Sequence, residues 1–284
     1  MGQVLLPALI RARFIVTAIS RPGASFNYPD VISKTASYDN LQSLIAALQD
    51  QDAIIEAFNP AAAASQALIV TAALASKVSH IITPDFSSDT FNEHVNELQI
   101  FQPKREAQQV LENSGISWTA IIVGPWYDWA IENGQFWIDR KSQTITRFGS
   151  GNQKISMSRL EQNAQAAVAV LQAPDRYRNR PIYVASHTVS TNDLIAIVEA
   201  SSKTAWKVVD VPLEELAAKG KEQWELDTKA GVKDRLQSSA YRMLGTAALF
   251  NEVNRYSADF GDKMEKGWDE GLEALQDNVK KLFA

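Results

Sequence analysis

The residues best equipped for chemistry fall between His80 and Asp128. His80–Thr83 reads as a short buried strand that runs into the polar residues Asp85, Ser87 and Ser88. A helix with Lys104 in its first turn follows. Trp118–Val123 then reads as a second buried strand, ending in Gly124-Pro125 and the aromatic residues Trp126, Tyr127 and Trp129. Ligands of open α/β sheets bind outside the carboxyl ends of the strands, so a lysine and two polar strand ends are expected to converge on one crevice. A partly desolvated lysine has a lowered pKa, which suits general acid–base work. The same residue type also fits a solvent-facing helix position, and the neighbouring Arg105 points that way.

Other chemistries are excluded by what the sequence lacks. There is no cysteine among the 284 residues, so disulfides, thiolate nucleophiles and Cys-ligated metals are ruled out. His80, His94 and His187 are widely separated and form no H-x-x-x-H or H-E-x-x-H spacing, so no zinc site is expected. Of the three, only His187, at the end of a Pro181–Ser186 strand, falls near a pocket. A Ser-His-Asp hydrolase would need G-x-S-x-G, which is absent. A net charge of −5 without a Lys/Arg run argues against nucleic acid, and no apolar run reaches membrane-span length. Val4–Ile10 is not read as a signal-peptide core, because no basic residue precedes it and Pro7 interrupts it. A cytoplasmic location is expected.

These residues must be positioned by alternating elements. Val4–Ala12 reads as a helix and Phe14–Ser20 as a strand; Val31–Thr35 is a strand, Leu41–Gln49 a helix, Ala53–Phe58 a strand and Ala61–Ser76 an Ala-rich helix. His80–Thr83, Lys104–Glu112 and Trp118–Val123 continue the alternation, which implies parallel βαβ units. Behind them Phe136–Asp139 and Thr144–Phe148 read as a hairpin, Arg159–Ala173 as a helix, Thr191–Ser201 as a helix and Trp206–Val211 as a strand. Leu213–Lys219, Lys233–Asn254 and Glu270–Leu282 close the chain as helices. The expected organisation is a core over residues 1–150, receiving further elements from 158–186, and a smaller lobe over 151–284 that does not fold alone.

Ile82-Thr83-Pro84-Asp85-Phe86-Ser87-Ser88-Asp89, the F-x-x-K of Phe101–Lys104 and the W-T-x-I-x-x-G-x-W-x-D of Trp118–Asp128 resemble the NmrA-like / isoflavone reductase-like family, an atypical branch of the short-chain dehydrogenases. The resemblance covers essentially the whole chain, including Val184–Ile195. It departs at Ser87, where relatives carry glycine, and at Asp85, the shorter acid at the family's glutamate position. It implies a Rossmann-like doubly wound parallel sheet with a mostly helical C-terminal substrate lobe, an NADPH cofactor and a small, aromatic or unsaturated substrate. The usual Tyr-x-x-x-Lys acid of short-chain dehydrogenases does not occur, since none of the seven tyrosines has a lysine four places on. In the family the F-x-x-K lysine holds the nicotinamide ribose and assists proton transfer, and that role falls to Lys104. The resemblance also implies substrate contacts from Asp85, Ser87, Trp126, Tyr127 and His187, although the tryptophans could equally fill a core. Asp128 either orients a polar group or caps the following helix.

A dinucleotide fold opens with a strand and G-x-G-x-x-G, and neither is present here. Gly2 sits where the last glycine of that motif would be, and Arg21 lies 19 residues on, near the offset of the group that reads the ribose 2′ position. An arginine there pairs with a 2′-phosphate, while an arginine at a loop start is also commonly solvated. Ser20, Ser25, Phe58, Asn59, Gly124 and Pro125 complete the expected cofactor contacts. The register predicts that the first strand, roughly a dozen residues, is missing, with impaired NADPH binding as the consequence. The expected function is an NADPH-dependent reductase acting on a small molecule, as monomer or homodimer. The alternatives are a non-catalytic redox sensor with a regulatory protein partner, and an inactive truncated relative.

Overall fold

Leu5, Leu6, Ala8 and Leu9 are the buried residues of the first helix and share one face at helical spacing. The computed structural model describes residues 1–24, 27–58, 65–134, 137–233 and 235–283. Its strands are β1 (Val16–Ser20), β2 (Val31–Thr35), β3 (Ala53–Ile55), β4 (His80–Ile82), β5 (Ser117–Ile122), β6 (Ile138–Asp139), β7 (Thr144–Phe148), β8 (Lys154–Met157), β9 (Arg180–Tyr183), β10 (His187–Ser190) and β11 (Lys207–Val211). Its helices are α1 (Gly2–Arg11), α2 (Leu41–Leu48), α3 (Gln66–Ala75), α4 (Gln102–Glu112), α5 (Tyr127–Asn133), α6 (Leu160–Gln172), α7 (Pro174–Tyr177), α8 (Thr191–Ser202), α9 (Leu213–Lys229), α10 (Ser239–Leu249) and α11 (Gly271–Phe283).

Two compact units interleave along the chain. The first contains Met1–Phe86, Pro103–Ile121 and Asn163–Ile182; the second contains Ser87–Gln102, Ile122–Gln162 and Tyr183–Ala284. In the first unit β1 pairs with β2 in parallel, Val16 opposite Val31. A second sheet has the order β3-β4-β5-β9, and β3, β4 and β5 run parallel. Among the described residues β1 has no partner but β2, and β3 none but β4. The consequence shows in burial. Every residue of β4 is buried and every residue of β1 only half-buried, while Ile15 and Ile32 are largely exposed. His80, on β4, is held by Ser117 Oγ at 2.9 Å and Thr119 Oγ1 at 3.0 Å across to β5.

The second unit holds two further sheets, β11-β7-β6 and the antiparallel pair β10-β8. Its core includes Tyr127, Trp137, Ile145, Ile155, Phe250 and Leu275. The β6–β7 hairpin forms as expected, with Ile138 opposite Ile145, although the strand starts at Ile138; residue 136 lies outside the described residues.

Several boundaries differ from the sequence reading. The strand expected to reach Phe58 ends at Ile55, and only the Glu56 N–H continues the ladder, to Ile82 O at 2.9 Å. The strand expected over Pro181–Ser186 ends at Tyr183 as β9; beyond it a separate strand, β10, begins at His187 and pairs with β8, a four-residue strand too short to stand out by pattern. The helix expected to stop at Lys219 runs to Lys229. Gly220 does not terminate it. A side chain there would meet Leu244 and Met243 at 3.0–3.2 Å, so this glycine marks where α9 packs closely against α10.

Candidate functional site

In the first unit the polar residues gather under the carboxyl ends of β3 and β4. Lys104, the third residue of α4, is only 9% exposed. Its Nζ lies 3.8 Å from Asp85 Oδ1 and 3.5 Å from the Asp85 carbonyl. Asp85 itself is buried, accepting from Thr83 Oγ1 at 2.6 Å and from Gln108 Nε2 at 3.1 Å. Lys104 and Gln108 sit four residues apart on α4, one turn, so one helix face presents both to the strand tip. Burial depresses the Lys104 pKa and the neighbouring Asp85 partly restores it. Lys104 is therefore an enclosed, acid-paired amine, and the solvent-facing alternative does not describe it.

Glu56 is the functional candidate that the sequence reading missed. It follows β3 directly, is 1% exposed, and neither carboxyl oxygen closes a hydrogen bond. Gln66 on α3 faces it with both amide atoms likewise unsatisfied by protein groups. Burial raises the Glu56 pKa to about 8, with Asp85 adding to the rise and Gln66 opposing it. Glu56, Gln66, Thr83, Asp85, Lys104 and Gln108 line a cavity of about 20 Å³. A carboxylate inside an apolar A-I-I-E-A-F run was the available signal, because an isolated buried charge demands a partner or a proton.

Arg21 is exposed, immediately after β1, with Ser20 Oγ donating to Ala24 O at 3.3 Å. The Tyr38 hydroxyl feels the charges of both Arg21 and Glu56, and its ring stands 5.8 Å from that of Phe58. Gly2 opens α1 with free space around its Cα. Asn59 and Ser25 lie outside the described residues.

The second unit holds the remaining candidates. Gly124 has φ +65°, and a Cβ would lie 1.9 Å from the Ser156 carbonyl oxygen, so no other residue fits without moving β8. Its N–H donates to the Ser87 carbonyl at 3.0 Å, and Pro125 O accepts from Ser158 N at 2.9 Å. Trp126 and Trp129 pack edge to face, ring centres 6.2 Å apart. Asp128 serves two helix starts: its carboxylate accepts from Trp129 N at 2.8 Å in the first turn of its own helix α5, and from Leu160 N at 3.0 and 3.1 Å at the start of α6. Tyr127 and His187 come together inside the core. Tyr127 is fully buried, its hydroxyl lies 3.3 Å from His187 Nε2, and Asn278 Nδ2 donates to it at 3.3 Å. His187 also lies 3.6 Å from Glu270, which forms a bidentate pair with Arg159. Burial lowers the His187 pKa and raises that of Tyr127. A separate small pocket in this unit is lined by Phe101, Gly124, Gly245, Tyr256, Ala258 and Phe260. Among the described residues no group of three His, Cys, Asp or Glu is placed to hold a metal ion, and no helix is long and apolar enough to cross a membrane.

The model of the NmrA-like family matches residues 2–273. The chain belongs to the NmrA-like family. Among curated proteins, this NmrA-like chain is similar to Oxidoreductase aprR of Aspergillus flavus, 28% identical over 210 residues covering 72% of this chain and 70% of that protein. It is also similar to Oxidoreductase poxI of Penicillium oxalicum, 27% identical over 249 residues covering 84% and 79%. Among solved structures, an isoflavone reductase superposes with a TM-score of 0.74 at 18% identity, covering 99% of this chain and 94% of that one. The binary complex of leucoanthocyanidin reductase with NADPH from Vitis vinifera gives 0.75 at 15% identity, covering 99% and 95%. At these identities the structures establish the fold, a Rossmann-like α/β architecture built on a parallel sheet.

Proposed function

We propose that this NmrA-like protein is an NADPH-dependent reductase of a small, aromatic or unsaturated molecule, with Lys104 as its proton donor. The observation that carries the reading is the burial of Lys104 beside Asp85 at the carboxyl end of β4, where parallel sheets bind ligands. Relatives named as oxidoreductases and fold neighbours named as reductases support it.

The residues present fit a phosphorylated dinucleotide in two respects. Arg21 offers an exposed guanidinium at the tip of β1, suited to forked pairing with a 2′-phosphate. Gly2 leaves the N-terminus of the ten-residue α1 open, a site that favours phosphate. When bound, NADPH supplies a hydride. Lys104, as the ammonium, then gives its proton to the substrate atom left electron-rich, and Asp85 holds the amine in position throughout. Gly124 and Pro125 are proposed as backbone contacts to the nicotinamide.

A second reading, a redox sensor that binds dinucleotide without turning it over, is favoured by one specific feature. The sequence has no G-x-G-x-x-G, and among the described residues β1 pairs with β2 alone and β3 with β4 alone. The weak phosphate cradle this implies would lower NADPH affinity. NADPH titration and turnover over a panel of quinones and enones, with Lys104→Ala beside wild type, separate the readings. Turnover lost in Lys104→Ala supports the reductase. Binding with no turnover, indifferent to Lys104, supports the sensor and ends the catalytic assignment.

A further inference from the structure

The enclosed acid opposite Lys104 has no part in the reaction as written above. Glu56 is among the most deeply buried polar residues of the chain, at 1% exposed, and both its oxygens and both polar atoms of Gln66 stop short of a hydrogen bond. Such groups are costly to bury and are normally satisfied by protein or by ordered water. The cavity they share with Lys104 measures about 20 Å³, enough for one water molecule. The Glu56 backbone is fixed by its hydrogen bond to Ile82 O, and Gln108 and Thr83 fix Asp85 on the other wall. Glu56 and Lys104 thus line one small cavity.

We propose that Glu56 is the proton store for Lys104, connected to it through a water molecule held in this chamber. After Lys104 has given up its proton it is a neutral amine. The water donates a proton to Nζ and takes one from the Glu56 carboxyl, leaving an ammonium and a carboxylate, and solvent returns a proton to Glu56 before the next cycle. No electrons move in this step. Gln66 suits either state of Glu56, since its amide offers an acceptor to the acid and a donor to the carboxylate. The elevated Glu56 pKa agrees with a group that carries its proton at neutral pH. The titratable groups that face the chamber or Glu56 itself are Asp85 after β4, Lys104 on α4 and Tyr38 after β2.

The turnover arm of the test rests on the reductase reading, while the titration arm does not. With carbon-13-labelled glutamate, NMR follows the Glu56 carboxyl, assigned by its loss in Glu56→Gln. Its midpoint is expected near 8 in wild type and higher in Lys104→Met, which removes the neighbouring amine. In turnover, Glu56→Gln is expected to lower kcat by roughly tenfold to a hundredfold, with the alkaline limb of the pH profile displaced and NADPH affinity unchanged. Glu56→Asp should recover part of the rate. A Glu56 midpoint in the ordinary carboxylate range, or one indifferent to Lys104→Met, overturns the coupling. An unchanged kcat in Glu56→Gln overturns the store. If wild type turns over nothing, the reductase reading falls and the titration alone decides whether acid and amine share a proton.

Discussion

Replacing Glu56 with glutamine removes a proton site while keeping the shape of the side chain, and the structure sets the sign and size of the effect on stability. Folding lifts the Glu56 pKa from 4.5 to about 8, chiefly by burial. At about 1.4 kcal/mol per pH unit this corresponds to something on the order of 5 kcal/mol across the window, and relaxation of the chamber reduces it to a few. Between those two values the folded protein keeps a proton that the unfolded chain has released, so raising the pH favours unfolding. The contribution is fully present below 4.5 and lost once the pH has passed about 8. Glutamine has no such dependence. The stability of Glu56→Gln minus that of wild type should therefore climb with pH through the window and level off above it. Lys104 acts with the opposite sign at the alkaline end, because its folded pKa is depressed. Urea unfolding from about pH 5 to about pH 9 measures the two curves. Parallel curves would refute the burial argument, and a difference that shrinks with rising pH would show its sign to be wrong.

Three further outcomes follow from single contacts. Gly124→Ala should destabilise the fold by about 2–4 kcal/mol, because the backbone is left-handed there and the Ser156 carbonyl occupies the Cβ position; thermal unfolding reports it. Asp128→Ala should cost about 1 kcal/mol by uncapping α6, and Asp128→Asn should recover most of that in the same assay. Arg21→Ala should weaken NADPH binding by roughly tenfold to a hundredfold while leaving NADH unchanged, read by nucleotide fluorescence; equal losses for both nucleotides would remove the 2′-phosphate assignment.

The parallel alternation of the first unit was legible because each strand is a run of β-branched and apolar residues bounded by polar ones. Val31–Thr35 appears in the structure with the expected bounds, and Lys104 lies in the first turn of its helix. The F-x-x-K register was enough to choose this lysine among many. The acid opposite it was not found, because Glu56 sits inside a run read as strand to Phe58, and the pattern hides which side chain turns inward after the ladder ends at Ile55. The helix expected to end at Lys219 runs on through Gly220 to Lys229, where the close approach of α10 is a contact the local pattern does not show. Tyr127 and His187 were legible as chemically able residues, but their partnership depends on contacts made across 60 positions of chain.

The arrangement of the first unit separates nucleotide grip from proton chemistry. Arg21 stands on a two-stranded sheet whose residues are half-exposed, and such a pair is marginal without packing from elsewhere. Asp85 and Lys104 stand instead against β4, every residue of which is buried between two parallel neighbours. A charge can be enclosed only where the surrounding backbone is rigid enough to keep water from reaching it freely, because penetration of water returns a buried group toward its ordinary pKa. Changes near β1 that alter dinucleotide affinity should therefore leave the Glu56 titration in place. With Arg21→Ala already made, the pH-dependent change in stability that Glu56→Gln produces should match the change it produces in the wild-type chain. If it collapses, the two sheets are energetically one.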